Sequence, residues 1–235
     1  KKKTVIKTKV VYASKGLVQR LLAEGEASPA DVVLTVDIGR LRQYADKNLF
    51  ATFESDKLLA GIPRHLRSSD NTWFGFSKRS RVIAVSKDLE NQDEIKRFEN
   101  IADKNWKGQL CSRPGSHVYN RALLSSIIAA NGEAGAKAWA EGIVGNLARS
   151  PRGNDRAQIK AIHAGECSIT IVNHYYYGKL INSEDPAHRK WAESVNIIIP
   201  NQGPTDRGAH INISGGGIAK HAKNLEEAKQ FMEFL

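Results

Sequence analysis

Short apolar runs alternate with amphipathic segments along the chain, a pattern typical of α/β proteins built on a parallel sheet. The apolar runs predict strands at residues 7–13, 30–36, 168–173 and 195–200. A further segment is predicted to begin as a basic turn at residue 75 and to become a strand that ends at residue 85. The amphipathic segments predict helices at residues 16–25, 37–48, 117–130, 134–147, 155–164 and 225–235.

The size and composition of the chain allow two small domains or one large one. Its 235 residues are 41% hydrophobic and 26% charged, an ordinary balance for a globular protein with a real core. No apolar run approaches the roughly 20 residues that a membrane-spanning helix needs. The chain opens on three lysines with no apolar segment behind them, so no signal peptide is predicted, although a mature exported chain would have lost one.

The formal net charge of +10 bears on the class of partner. The 35 lysines and arginines are spread along the chain, and no zinc-finger, basic-zipper or RNA-recognition pattern accompanies them. We therefore interpret the charge as a solubilising surface and expect no nucleic-acid partner.

Three consecutive tyrosines follow the predicted strand at residues 168–173. Within a strand, Tyr175 and Tyr176 would point to opposite faces, but at a strand-to-helix turn both can reach one ligand. Asn173 is a candidate N-cap for the helix, which would place both phenols where the helix dipole favours anionic groups.

A second strand-to-helix turn spans residues 113–120. Ser116 is the candidate N-cap there, with free backbone N–H groups for a small anion, and Tyr119 lies about one turn into the helix. A third candidate segment, residues 77–81, carries Arg79 and Arg81 just before an apolar strand.

Phenols bind a metal only when something removes their protons, because their pKa is near 10. A trivalent cation does so, and hard cations prefer anionic oxygen to sulfur or imidazole. Three tyrosinates would cancel the charge of Fe³⁺, and an arginine or a helix N-terminus would hold an anion in the remaining positions. On composition alone, tyrosines that pack on a surface are the simpler interpretation.

Six segments, which include KNWKGQLCSRPGSHVYN and IVNHYYYGKL, closely resemble the periplasmic ferric-ion-binding proteins, most of all their cyanobacterial branch. They lie at residues 28–41, 73–88, 104–120, 129–162, 171–180 and 206–220 and cover nearly the whole chain. The resemblance implies an α/β type II periplasmic-binding-protein fold, with two lobes and a ligand cleft between them. It places lobe 1 at residues 1–83 and 213–235 and lobe 2 at residues 84–212.

The resemblance also implies the site. The family's metal-binding tyrosines fall on Tyr119, Tyr175 and Tyr176, and Tyr177 is assigned to packing. An accompanying anion, such as carbonate, would be held by Arg79, Arg81 and Ser116. The expected ligand is Fe³⁺, with Fe²⁺ left open as the working oxidation state.

The resemblance further implies a monomeric periplasmic receptor, not an enzyme, that delivers iron to the permease of an ABC importer in the inner membrane. The chain departs from the family at both ends, so we expect a fragment of lobe 1 that lacks the metal ligand of that lobe. Some relatives use a carboxylate at the position of Val36, and Asp37 is instead predicted to cap a helix.

Several other residues have plainer interpretations. Cys111 and Cys167 are expected as two free buried thiols, although their strands could be neighbours and allow pairing. His117, His174 and His210 are expected to be hydrogen-bonded structural residues. The run at residues 215–217 lacks the Lys-Ser/Thr of a phosphate-binding loop and is expected to be a crossing between the lobes.

Two other functions compete with iron capture. The first is a binding protein of the same fold for an oxyanion or a small organic ligand, such as sulfate or a phosphorylated thiamine-like molecule. The second, weaker one is a basic nucleic-acid-binding module. An enzyme is the least favoured class, because no segment sets a nucleophile beside a base.

Overall fold

The computed structural model describes residues 5–13 and 16–235, which form two compact units. Unit 1 contains the described residues up to Lys78 together with Asn212–Leu235, and unit 2 is the continuous stretch Arg79–Ile211. The lobe limits inferred from the sequence, after residues 83 and 212, stay a prediction.

The elements follow one another along the chain with short 3-10 turns between some of them. The helices are α1 (Leu17–Glu24), α2 (Ile38–Asp46), α3 (Asp56–Gly61), α4 (Val118–Gly145), α5 (Asp155–His163), α6 (His174–Ile181), α7 (Pro186–Glu193) and α8 (Leu225–Phe234). The strands are β1 (Val32–Val36), β2 (Phe74–Ser86), β3 (Leu110–Cys111), β4 (Ile169–Asn173), β5 (Val195–Ile198) and β6 (Ile211–Ile218).

In unit 1, β1 pairs antiparallel with β6, from Val32 opposite Ile218 to Val36 opposite Ser214. The glycine run at residues 215–217 lies inside β6, because other backbone passes too close for a side chain. A Cβ on Gly215 would lie 2.2 Å from the carbonyl oxygen of Phe74, and one on Gly217 would lie 2.4 Å from that of Thr72. The run is therefore a strand of unit 1, and the chain changes unit just before it, after Ile211.

The predicted cap of α2 is confirmed. Asp37 is buried, and its Oδ1 accepts a hydrogen bond from the backbone N–H of Gly39 at 3.0 Å. Its Oδ2 accepts from Nδ2 of Asn212 at 2.9 Å. This carboxylate thus joins the start of α2 to β6.

In unit 2, β2 is one of the two inner strands of a four-stranded sheet. It pairs antiparallel with β4, from Arg81 opposite Asn173 onward, and on its other side antiparallel with β5. β3 adds to β4 in parallel, with Cys111 opposite Thr170. The pairings of β1 with β6, β2 with β4 and β2 with β5 are thus antiparallel, so the predicted parallel sheet is wrong for these three pairs of strands.

The reason for that error is burial on both faces of the sheet. Val82 packs into an apolar cluster with Ile159 and Val172, whereas its neighbour Ile83 packs into another with Ile127. Strands covered on both faces are apolar throughout whatever their direction, so the continuous apolar runs did not distinguish the two arrangements.

Most predicted elements are confirmed within two or three residues, and the others are corrected. Residues 7–13 form no strand; Val10, Val11 and Tyr12 are exposed, since β propensity needs a partner strand and a buried face. The predicted basic turn at residue 75 is already part of β2. The helices predicted on either side of Gly132 form one element, α4, with a break at that glycine (φ 71°). The short helices α3 and α7 were not predicted.

Cys111 and Cys167 form a disulfide, with their Cα atoms 5.8 Å apart. The expectation of two free thiols is wrong, because β3 and β4 are neighbours and Cys167, two residues before β4, comes within disulfide range of Cys111, the last residue of β3. Both residues are buried.

Candidate functional site

The tyrosines implied by the sequence lie at the starts of two helices in unit 2. Tyr119 is the second residue of α4 and Tyr175 the second residue of α6. Those helices follow β3 and β4, which are parallel neighbours and end at the same edge of the sheet. The strand order therefore brings the two helix starts together.

The hydroxyl oxygens of Tyr119 and Tyr175 lie 3.3 Å apart, within hydrogen-bond distance. The rings of Tyr175 and Tyr176 are tilted against each other with centroids 4.4 Å apart. Asn173 donates from Nδ2 to the hydroxyl of Tyr175 at 3.2 Å. The structure thus brings together all three tyrosines named from the sequence. Tyr177 packs instead against the apolar cluster of Val82.

Both paired phenols are neutral at pH 7 in this environment. Burial, followed by the hydrogen bond and charge of Tyr175, raises the pKa of Tyr119 to about 12. Burial also raises the pKa of Tyr175. Deprotonation of these two phenols at pH 7 therefore requires a highly charged cation or a strong base.

Three buried guanidinium groups surround the ring of Tyr119. The Cζ atoms of Arg79, Arg113 and Arg81 lie 4.9, 5.0 and 6.0 Å from its centroid. Cations over an aromatic face are attracted to its electron density, and the attraction grows when the phenol becomes a phenolate. Arg79 and Arg81 were named from the sequence, whereas Arg113 was missed as a site residue, although it lies in the segment that drew attention to Tyr119.

The buried carboxylate of Asp155 pairs with two of these arginines. Its Oδ2 lies 2.8 Å from Nη1 of Arg81, and its Oδ1 lies 2.7 Å from Nη1 of Arg113. Sequence reasoning missed this residue, because an aspartate at the start of a helix is common and carries no signal of what it contacts.

The two candidate caps behave differently from expectation. Ser116 lies exposed in the turn, and the cap of α4 is His117, whose Nδ1 accepts from the N–H of Tyr119 at 3.2 Å. Asn173 does occupy the N-cap position of α6, but its side chain makes no capping bond. It contacts Arg81 and Tyr175 instead, because both reach it at the end of β4.

The histidines beside the tyrosines are hydrogen-bonded to the backbone, as expected. His174 accepts through Nδ1 from the N–H of Ser80 at 3.0 Å, and its ring meets that of Tyr175 edge-on. Burial and then the charges of Arg81, Arg79 and Arg207 lower the pKa of His210 to about 4, so it is neutral at pH 7.

The candidate donors of this site are phenol oxygens. Within residues 5–13 and 16–235, no three His, Cys, Asp or Glu side chains gather where they could hold a metal ion. In the same residues, no helix is long and apolar enough to cross a membrane. The arrangement suits a hard cation that turns the phenols into phenolates while cationic side chains balance the negative charge.

Comparison with known proteins gives several likenesses. Residues 27–235 match the model of a family described as bacterial extracellular solute-binding protein. The chain is 46% identical over 219 residues to iron uptake protein A1 of Synechocystis, which covers 93% of this chain and 60% of that protein. It is 28% identical to the Fe(3+)-binding periplasmic protein of Serratia marcescens, over 92% of this chain and 61% of that one. The chain therefore spans about 60% of the length of these relatives.

Two solved structures are similar over the same part. One is the Trichodesmium protein IdiA, or FutA, in complex with iron and citrate, with a TM-score of 0.86 and 43% identity over 93% of this chain and 68% of that one. The other is a ferric binding protein from Campylobacter jejuni, with a TM-score of 0.87 and 42% identity over 93% of this chain and 69% of that one.

Proposed function

The chain belongs to the family of bacterial extracellular solute-binding proteins, and from that premise we propose that it binds ferric iron for an ABC importer. The observation that carries the proposal is the 3.3 Å approach of the Tyr119 and Tyr175 hydroxyls, with the ring of Tyr176 beside them. The names of the similar Serratia and Campylobacter proteins support it, since both refer to ferric iron.

The fold class accords with this membership. The chain has the α/β type II periplasmic-binding-protein fold expected from the sequence, like the structures similar to it. Such a protein is a binding protein rather than an enzyme, and its proposed place is the periplasm. The Cys111–Cys167 disulfide supports that place, because disulfides persist in oxidising compartments.

The proposed ligands are the phenolate oxygens of Tyr119, Tyr175 and Tyr176. Their three negative charges balance Fe³⁺, which supplies the driving force to remove protons that the apo site holds firmly. Arg79 and Arg81 would hold carbonate or another small anion at a remaining coordination position, and Ser116 would contribute from its turn. Transfer of the iron then requires a permease in the inner membrane. The chain itself would act as a monomeric receptor that delivers the iron to this permease.

The test is the visible spectrum during titration with ferric nitrilotriacetate. Iron held by phenolates gives a charge-transfer colour, which Tyr175→Phe should weaken or abolish. Tyr177→Phe is the matched control, since it removes a hydroxyl two residues further along α6 and leaves the ring in its apolar cluster. A protein that stays colourless in excess ferric nitrilotriacetate would refute the proposal.

A second candidate is an oxyanion-binding protein of the same fold. It is favoured by the buried arginines, because the Nε atoms of Arg81 and Arg113 have no hydrogen-bond partner among the described residues. This function predicts affinity for sulfate or phosphate that survives Tyr175→Phe and fails on Arg81→Ala. Equilibrium dialysis with either anion in the absence of iron separates it from iron capture.

A further inference from the structure

The side chain of Asp155 is fully buried, and three segments distant in sequence donate to it. Besides the Nη1 atoms of Arg81 and Arg113, the backbone N–H of Asn173 donates to Oδ2 at 2.8 Å. One carboxylate at the start of α5 therefore ties together β2, the turn before α4 and the end of β4.

The bond to Asn173 leads directly to Tyr175. Asn173 is held by its N–H to Asp155, and its Nδ2 donates to the hydroxyl of Tyr175. Because the backbone of Asn173 is fixed, its side chain has few rotamers available. The bond from Nδ2 of Asn173 therefore holds the hydroxyl of Tyr175 in position.

The bonds to the arginines lead to Tyr119. Arg81 also donates from Nη2 to Oδ1 of Asn120, the residue that follows Tyr119 in α4, at 3.0 Å. Arg113 is held over the ring of Tyr119, and its backbone carbonyl accepts from Nδ2 of Asn120 at 3.1 Å. Both arginines therefore fix the first turn of α4.

The charges around Tyr119 also indicate that Asp155 positions the site. Arg79, Arg81 and Arg113 bring three positive charges to the ring of Tyr119, and Asp155 compensates part of them. Without the carboxylate, Arg81 and Arg113 would repel each other at close range in a buried place and move apart. With it, they stay where negative charge forms on the phenol.

We propose that Asp155 is a positioning residue for iron binding, which sets the separation of the Tyr119 and Tyr175 hydroxyls through Arg81, Arg113 and Asn173. The inference rests on the proposed function and deepens it. This positioning role differs from a purely structural role. In a purely structural role, the buried ion pairs of Asp155 would stabilise unit 2 without affecting the affinity for iron.

The test compares Asp155→Asn with Asn146→Ala. Asn146 is another buried polar residue of unit 2, whose Nδ2 donates to the carbonyl oxygens of Ile101 and Asp103. Both variants should lower the unfolding temperature. Ferric affinity, measured by competition with nitrilotriacetate, should fall roughly 10- to 100-fold in Asp155→Asn alone. Its charge-transfer band should also shift, and that of Asn146→Ala should not.

Equal iron affinity and an unchanged band in Asp155→Asn would overturn the inference while leaving the proposed function intact. A parent protein that takes up no ferric iron would overturn both. Should Asp155→Asn fail to fold, Arg113→Gln carries the test, because it removes one of three bonds to the carboxylate and leaves the Arg81 pair. This variant should bind iron several-fold more weakly than the parent protein and show a shifted charge-transfer band. If Arg113→Gln has the same iron affinity and the same band as the parent protein, the inference is overturned.

Discussion

The Cys111–Cys167 disulfide and the Tyr119–Tyr175 hydroxyl contact bridge the same sequence separation, 56 residues. Each cysteine therefore precedes one of the paired tyrosines by the same interval, one through β3 and its turn, the other through β4. The covalent bond lies at one end of these two parallel segments, and the paired phenols lie at the other.

Removal of the disulfide should lower the stability of the folded protein. The double variant Cys111→Ala/Cys167→Ala loses a cross-link that closes a long loop, which is worth about 4 kcal/mol in the chain-entropy account. Urea unfolding of the apo protein measures that loss. A double variant with the parent's unfolding midpoint would show that the disulfide does not restrain the unfolded chain.

Tyr119→Phe should weaken ferric binding more than any change behind the ligands, by more than about 100-fold. The ring keeps its contacts with Arg79 and Arg113, so the loss reports the oxygen alone. Titration against nitrilotriacetate measures it, with Tyr177→Phe as the control that keeps full affinity. If Tyr119→Phe binds like that control, Tyr119 is not a ligand.

Iron binding at neutral pH should release protons, because the pKa of Tyr119 is about 12 and that of Tyr175 is also raised. With three phenols deprotonated, about three protons leave per ion, and affinity should rise by about three orders of magnitude per pH unit before correction for the chelator. Calorimetry in two buffers of different ionisation enthalpy counts the protons. A count near zero would contradict phenolate ligation.

Glu99 should contribute a measurable part of the acid stability of unit 2. Burial alone would raise the pKa of its carboxyl, but hydrogen bonds from Asn131, Asn201 and Arg207 outweigh it and lower the pKa to about 2. A depressed folded-state pKa gives stability that is present above the unfolded value and is lost as pH falls from about 4.5 toward 2.

Glu99→Gln should therefore cost about 2 kcal/mol at pH 7, after allowance for the partial exposure of the side chain, and less at pH 2. Thermal unfolding across this pH range measures the difference. An equal cost at both pH values would show that the charge of Glu99 is not responsible.

Gly217→Ala should destabilise unit 1 by about 1–3 kcal/mol, because the added Cβ would lie 2.4 Å from the carbonyl oxygen of Thr72 and 2.7 Å from the ring of Phe50. Gly61→Ala is the matched control, since it opens onto free space at the end of α3. Urea unfolding compares the two. Similar midpoints would mean that β6 shifts to accept the methyl group.

Local pattern predicted the elements whose burial follows a simple period, such as α5 and β4. It failed where a distant part of the chain decides the outcome. The glycines of β6 are expected from the sequence to be a crossing between the lobes, and only the close approach of the backbone at Thr72 and Phe74 explains why they lie inside a strand. Residues 7–13 have the residue types of a strand but lie exposed.

The same division holds for the site. Tyr175 and Tyr176 stand out in the sequence because three tyrosines follow one strand, and Tyr119 stands out because it follows a second strand-to-helix turn. Arg113 and Asp155 do not stand out, since their importance depends on which strands are neighbours. The pairing of β3 with β4 decides that, and a two-residue strand leaves too little pattern to show it.

The order of the two units along the chain has a consequence for synthesis on the ribosome. Unit 2 is one uninterrupted stretch, whereas β1 of unit 1 pairs with β6, which follows unit 2 along the chain. Since domains fold as units while the chain emerges, the middle of the polypeptide can finish folding while its earlier part still waits. Every residue that holds the paired tyrosines is thus synthesised before Ile218, the partner of Val32 in β6.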